Sequence, residues 1–101
     1  MELNVWHAPK KEEIPDTPYN FLKKVEKPTA IHIPGKNTNR TRVLVTLTHG
    51  NEPSGLQAVH EWLRWGRIPL VNIVVILGSV KAALTDPVFF YRHLPGERDL
   101  N

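Results

Sequence analysis

A histidine and a glutamate stand three positions apart where a β-branched segment gives way to a helical one. They are His49 and Glu52, in the segment His-Gly-Asn-Glu. The glycine between them lets the chain turn sharply, so that an imidazole nitrogen and a carboxylate oxygen can converge on one point. Both groups bind zinc at about 2.0–2.2 Å, and a catalytic zinc site has three protein ligands and an open position for water. The spacing would therefore allow both side chains to bind one zinc ion.

The same two residues also have a structural interpretation. A carboxylate at a helix start is stabilised by about 0.3–1 kcal/mol in the positive field of the helix N-terminus, which is enough to explain Glu52. His49 is equally compatible with an ordinary loop histidine. Because the spacing H-x-x-E often arises by chance, it leaves metal binding and plain structure both open.

The elements around this pair predict a strand, a helix and a second strand. Residues 42–48 are β-branched and mostly apolar, as in a strand. Proline 53 suits the first helical position, and residues 56–65 place apolar side chains, including Trp62 and Trp65, on one half of a helix. Residues 70–77 are apolar on both faces, as in a parallel strand buried between helices. Since parallel strands end at the same edge, the loops that follow them should lie side by side.

The preceding part of the chain is less regular. Residues 1–29 hold four of the nine prolines, which excludes one continuous element. The pair Thr17-Pro18 predicts the start of a short helix that ends before Pro28. A strand at residues 30–34, a turn at 35–40 and the strand after it suggest a hairpin.

The fold prediction is therefore one α/β domain over residues 1–101, with a mostly parallel or mixed sheet and packed helices. Residues 1–29 form its proline-rich lead-in. Residues 30–101 form a βαβ core and a substrate-loop segment that begins at residue 79.

Two motifs resemble those of one enzyme family. Thr48-His49-Gly50-Asn51-Glu52-Pro53-Ser54-Gly55 resembles the zinc signature H-G-N-E-x-x-G of the succinylglutamate desuccinylase/aspartoacylase family, which is related to the zinc carboxypeptidases. Arg98-Asp99-Leu100-Asn101 resembles the start of the family's second signature, D-L-N-R. The resemblance covers about residues 42–101, and the two motifs in order are more specific than either alone.

The resemblance implies a zinc-dependent, metallopeptidase-like hydrolase, an amidohydrolase or deacylase. The substrate would be a small N-acyl amino acid or a related carboxylate. The fold would be the N-terminal part of a zinc-peptidase-like (phosphorylase/hydrolase-like) domain, with one zinc per intact active site. The implied roles are zinc binding for His49 and Glu52, carbonyl polarisation for Arg92 or Arg98, substrate binding for Asn101 and Arg98, and loop support for Asp99.

The family's third zinc ligand and its catalytic glutamate lie downstream of D-L-N-R. We therefore expect a truncated N-terminal fragment that is inactive alone and holds zinc weakly, if at all. Among the other histidines, His93 is the best substitute ligand because its loop should leave the same sheet edge. His60 is expected to face solvent from its helix, and neither His32 nor His7 is favoured. Glu97 is a weaker substitute for the missing base.

Composition limits the other function classes. The chain has 101 residues, a net charge of +3 with basic residues scattered along it, and no cysteine. Disulfides, thiolate metal sites and cysteine nucleophiles are thereby excluded. No signal-peptide pattern is present, and the apolar run at residues 70–77 is too short to span a bilayer, so we expect a cytoplasmic protein without a membrane partner.

Two alternatives from other classes remain. One is a non-catalytic α/β module without metal. The weaker one is a small basic nucleic-acid-binding domain, supported only by the aromatic and basic residues of 89–98; our main prediction has no nucleic-acid partner. Apolar surface exposed by truncation, including residues 89–91, also predicts possible self-association.

Overall fold

The computed structural model describes residues 3–50, 54–85, 87 and 89. The elements in chain order are β1 (Asn4–His7), a 3-10 turn (Lys11–Glu13), α1 (Pro18–Val25), β2 (Thr29–Ile33), β3 (Asn37–Thr46), α2 (Ser54–Trp65), β4 (Val71–Leu77) and α3 (Val80–Leu84). The four strands form one sheet in the order β1-β2-β4-β3. β3 and β4 are parallel, β2 is antiparallel to β4, and β1 is parallel to β2. The predicted α/β class and mixed sheet are confirmed.

The predicted strand-helix-strand unit is β3-α2-β4. Gly66 ends α2 with a φ of +69°, and its N–H donates to the carbonyl of Leu63 at 3.2 Å. This left-handed φ favours glycine, because a residue with a Cβ would be strained there. The helix predicted after Thr17 is also present. The Thr17 hydroxyl accepts from the N–H of Asn20 at 3.1 Å, which is a helix N-cap.

One face of the sheet carries the core. Ile31 of β2 pairs in register with Val75 of β4, so both side chains lie on the same face, and Leu77 lies two positions further along β4. All three pack with apolar residues of the helices, each of which gains about 1.5–3 kcal/mol on full burial. The helical contributors are Phe21, Leu22, Val25, Leu56, Val59, Leu63, Val80 and Ala83.

The opposite face is apolar but carries no core helix among the described residues. Following the register across the sheet, one row on this face runs Val45, Ile76, Ala30 and Val5, and the next runs Val43, Val74, His32 and His7. The valines of the two edge strands are 58–60% exposed. The expectation that residues 70–77 are buried on both faces is therefore wrong for most of that strand, because the described helices pack on one side only.

The predicted hairpin is wrong, because β4 lies between β2 and β3. The side chain of Asn72 in β4 explains how the chain crosses over. Its Oδ1 accepts from the N–H of Gly35 at 2.9 Å, and its Nδ2 donates to the carbonyl of Thr38 at 3.0 Å. A Cβ at Gly35 would lie 2.2 Å from the carbonyl carbon of Val71, so only glycine allows this close approach. β3 consequently begins at Asn37, inside the predicted turn, and its register with β4 shifts between Asn37 and Thr41.

The proline-rich lead-in contains a strand that the sequence did not reveal. β1 pairs in parallel with β2, and Trp6 lies in register with Ile31. The ring of Trp6 is 6.4 Å from that of Phe21, centroid to centroid, so this strand also contributes to the core.

The helix α2 is rotated relative to its predicted orientation. Its buried residues are Leu56, Val59, His60 and Leu63, whereas Trp65 is 60% exposed beneath the guanidinium of Arg67. Spacings of three, four and seven residues define a core-facing stripe, which explains why His60 is inside and Trp65 outside. Trp62 packs against the core as expected. Within the described part of the chain, no helix has the length and apolar character needed to cross a bilayer.

Candidate metal site at the carboxyl edge of β3 and β4

The loops that follow β3 and β4 are joined by three hydrogen bonds at their bases. The N–H of Gly78 donates to the carbonyl of Thr46 at 3.2 Å, and that of Ser79 donates to the carbonyl of Leu47 at 2.7 Å. The Ser79 hydroxyl then donates to the carbonyl of Thr48 at 2.7 Å. The loops that follow the two parallel strands therefore lie side by side at one edge of the sheet, as the topology predicts.

Ser79 is the contributor to this edge that sequence analysis missed. It precedes α3 at the N-cap position, where a serine normally accepts a hydrogen bond from the helix. Here the side chain makes no capping bond and instead bonds the loop after β3. A serine between a buried strand and a short helix is the only sequence signal, and it suggests capping rather than a link between loops.

A left-handed residue bends the chain out of β3 two positions before the candidate ligand. Leu47 has a φ of +54°, although it is not glycine, and its side chain is only 2% exposed. This conformation costs about 1–2 kcal/mol for a residue with a Cβ. Burial of Leu47 in the core and the hydrogen bond from Ser79 to its carbonyl offset that cost. Such backbone strain tends to occur at functional sites.

His49 follows this bend and is buried, with 6% of its surface exposed. That burial differs from what a freely solvated loop histidine would show. The first turn of α2 is close by, because a Cβ on Gly55 would lie 3.5 Å from the Cβ of Thr46. The buried hydroxyl of Thr46 has no hydrogen-bond partner among the residues that the structure describes. The edge thus combines a buried imidazole with a buried polar atom that the described chain leaves unpaired.

The donor chemistry of the motif fits zinc, but only one of its two candidate ligands lies among the described residues. His49 provides an imidazole nitrogen, whereas Glu52 lies in the segment 51–53, outside the described residues. The described ranges contain no group of three or more His, Cys, Asp or Glu residues that could hold an ion. The remaining predicted residues also lie outside the described ranges: Arg92, Arg98, Asp99 and Asn101, and the substitutes His93 and Glu97.

The expectation that His60 faces solvent is wrong. Its side chain is 6% exposed, and its Nε2 lies 2.6 Å from the carbonyl oxygen of Pro15. The imidazole ring also packs 5.8 Å from the ring of Phe21, centroid to centroid. His60 therefore joins α2 to the segment before α1 and is occupied structurally.

A cleft of about 590 Å³ lies at the opposite edge of the sheet, away from His49. It is lined by the end of β2, the end of α2 and the 3-10 turn, with Ile33, Trp62 and Leu63 as apolar walls and Lys10 and Arg67 as basic ones. β2 runs antiparallel to β4, so its carboxyl end lies at the amino end of β4. The candidate ligand His49 does not line this cleft.

Comparison of the chain with protein-family models, with curated proteins and with solved structures found no match. The family resemblance therefore rests on the two motifs quoted above.

Proposed function

We propose that this chain provides the first two metal ligands of a zinc-dependent hydrolase of the succinylglutamate desuccinylase/aspartoacylase type. The reaction would cleave an amide bond in a small N-acyl amino acid or a related carboxylate. The observation that carries the proposal is a buried His49 at the carboxyl edge of β3, beside the loop from β4. Open α/β sheets bind ligands at this edge.

In this proposal His49 and Glu52 hold the ion through an imidazole nitrogen and a carboxylate oxygen. When bound, zinc supplies Lewis acidity and activates water as a nucleophile at neutral pH. The Ser79 hydroxyl keeps the loop that carries His49 against the base of the loop from β4.

The second motif would position the substrate. Asn101 and Arg98 would bind the substrate carboxylate, and Asp99 would brace their loop. Arg92, with Arg98 as the alternative, would donate hydrogen bonds to the carbonyl oxygen as negative charge develops on it, where a positioned donor lowers the barrier most. In the family that the motifs resemble, the third ligand and the general base follow the second motif, so we expect the chain alone to be inactive.

The test is a zinc competition titration of the chain against a chromophoric chelator. His49→Ala and Glu52→Gln should each weaken zinc binding at least about tenfold, which corresponds to roughly 1.4 kcal/mol. Glu61→Gln is the matched control, because it makes the same change on an exposed carboxylate of α2 and should leave the affinity unchanged. Equal affinities for all four proteins would refute the metal site and favour a non-catalytic α/β module.

For the self-association that we propose, the best-supported surface is the edge of β3 away from β4, which no described strand covers. Val43, Leu44 and Val45 are 58%, 45% and 60% exposed, and β4 is the only described strand that pairs with β3. These three residues form the apolar part of an otherwise polar strand, and an exposed apolar edge with unpaired backbone groups is a template for another strand. Antiparallel pairing of two copies about Leu44 would set Val43 of one copy opposite Val45 of the other. The edge is thus self-complementary, as a two-fold interface requires.

A further inference from the structure

Two histidines lie side by side on the face of the sheet that the core helices leave open. β1 and β2 are parallel, and His7 is in register with His32. Their ring centroids are 6.1 Å apart, with an angle of 39° between the ring planes. His7 is exposed and His32 is half-buried, so both rings are accessible from the same side.

This separation is close to what shared coordination requires. Two imidazole nitrogens bound to one ion at about 2.0–2.1 Å place their ring centroids roughly 4.5–5.5 Å apart. The rings therefore need to approach by about 1 Å, which small side-chain torsions within one rotamer well can provide. Because the backbones of β1 and β2 already hold the two residues in register, little order has to be gained on binding.

The pair opens onto a pocket of about 250 Å³ with further oxygen atoms nearby. Thr41 and Asn72 line this pocket together with His7 and His32. The amide of Asn72 is already committed: its Oδ1 accepts from the N–H of Gly35, and its Nδ2 donates to the carbonyl of Thr38 and to the hydroxyl of Thr41 in β3. The two imidazoles would therefore be the protein ligands, and water or an external ligand would fill the remaining positions.

We propose that His7 and His32 form a second metal site, a bis-imidazole site for late first-row divalent ions. Imidazole suits copper, nickel and zinc, and the expected order of affinity places Cu²⁺ above both Ni²⁺ and Zn²⁺. The site is separate from the one proposed at His49: His32 pairs with Val74, three positions along β4 from the edge where Thr46 pairs with Leu77. A bound ion would link β1, a four-residue edge strand, to β2 and should stabilise its attachment to the sheet.

The experiment is a Cu²⁺ titration of the His49→Ala protein near neutral pH. The substitution removes the histidine of the other proposed metal site. The resonances of His7 and His32 should broaden together at the lowest copper concentrations, while those of His60 should stay sharp. His7→Ala and His32→Ala, each in that background, should weaken Cu²⁺ binding at least tenfold. Circular dichroism checks that the variants fold, and His32→Gln replaces His32→Ala if the alanine variant does not.

Unchanged Cu²⁺ affinity in both variants would overturn the proposal, as would the absence of saturable binding in the His49→Ala protein. Loss of all metal binding on His49→Ala alone would overturn it as well and would leave the hydrolase site standing. Conversely, copper binding that depends on His7 and His32 but not on His49 supports this site whatever the outcome for zinc at His49.

Discussion

Removing the Ser79 hydroxyl should loosen the loop that carries His49. Ser79 is 9% exposed, and its hydroxyl donates to the carbonyl of Thr48 at 2.7 Å. Ser79→Ala deletes that bond and leaves a carbonyl in a partly buried position without its partner. A typical hydrogen bond contributes about 0.5–1.5 kcal/mol, and an unsatisfied buried group costs about 1–3 kcal/mol. We expect Ser79→Ala to lower the free energy of unfolding by about 1–2 kcal/mol.

No helix-capping energy enters this estimate, because the Ser79 side chain makes no capping bond to α3. Thr85→Val is the matched control at the other end of the same helix. The Thr85 hydroxyl donates to the carbonyl of Lys81 at 2.8 Å, but this bond is local and exposed, so its loss should change stability by less than about 0.5 kcal/mol.

Urea unfolding of the two variants, followed by circular dichroism, measures the difference. The midpoint should fall for Ser79→Ala with an unchanged slope, as for a loss of stability without a change in compactness. Zinc affinity should fall in parallel, because the loop holding His49 is less ordered. Equal midpoints for Ser79→Ala and Thr85→Val would refute the claim that this hydroxyl holds the site together.

Three further predictions concern the sheet. Thr46→Val removes a buried hydroxyl without a described partner, so thermal unfolding should show an unchanged or raised stability. A fall of more than about 1 kcal/mol in the free energy of unfolding would show that the hydroxyl is hydrogen-bonded. Asn72→Ala should lower the free energy of unfolding by about 1–3 kcal/mol, because it leaves two backbone groups without their partner. Asn37→Ala, in the exposed part of β3, should lower it less. Equal losses of stability in urea unfolding would contradict this prediction. Val45→Lys should abolish the concentration-dependent association that sedimentation velocity measures. Val5→Lys, at an equally exposed valine of the other edge strand, should not. Association that Val45→Lys leaves unchanged would exclude the β3 edge as the interface.

Local signals in the sequence predicted the elements that depend on local chemistry. The pair Thr17-Pro18 correctly marks the start of α1, because the capping bond and the fixed φ of proline act within one turn. The β3-α2-β4 unit was also predicted from local signals, because the hydrophobic patterns of its strands and its helix are long and regular.

Strand pairing was harder to predict because it depends on distant residues. An isoleucine-rich segment such as β2 can pair with either apolar strand. The hydrogen bonds of Asn72 to Gly35 and Thr38 join residues 37 and 34 positions apart, which no local pattern reveals. β1 was missed since four residues in a proline-rich segment show no alternation.

The orientation of α2 could have been predicted. Leu56, Val59, His60 and Leu63 follow the core-facing spacing, and only the polarity of histidine argued against including His60. At the candidate site, the structure shows that His49 is buried and that the loops after β3 and β4 lie at one edge of the sheet. The roles of Glu52 and of the second motif remain predictions, because these residues lie outside the described ranges.

Anomalous diffraction from a zinc-soaked crystal would show directly whether His49 and Glu52 bind the same zinc ion. We expect an ion about 2.0–2.2 Å from a ring nitrogen of His49 and a carboxylate oxygen of Glu52. An ion bound only between His7 and His32, or no ion at the carboxyl edge of β3 under saturating zinc, would contradict it.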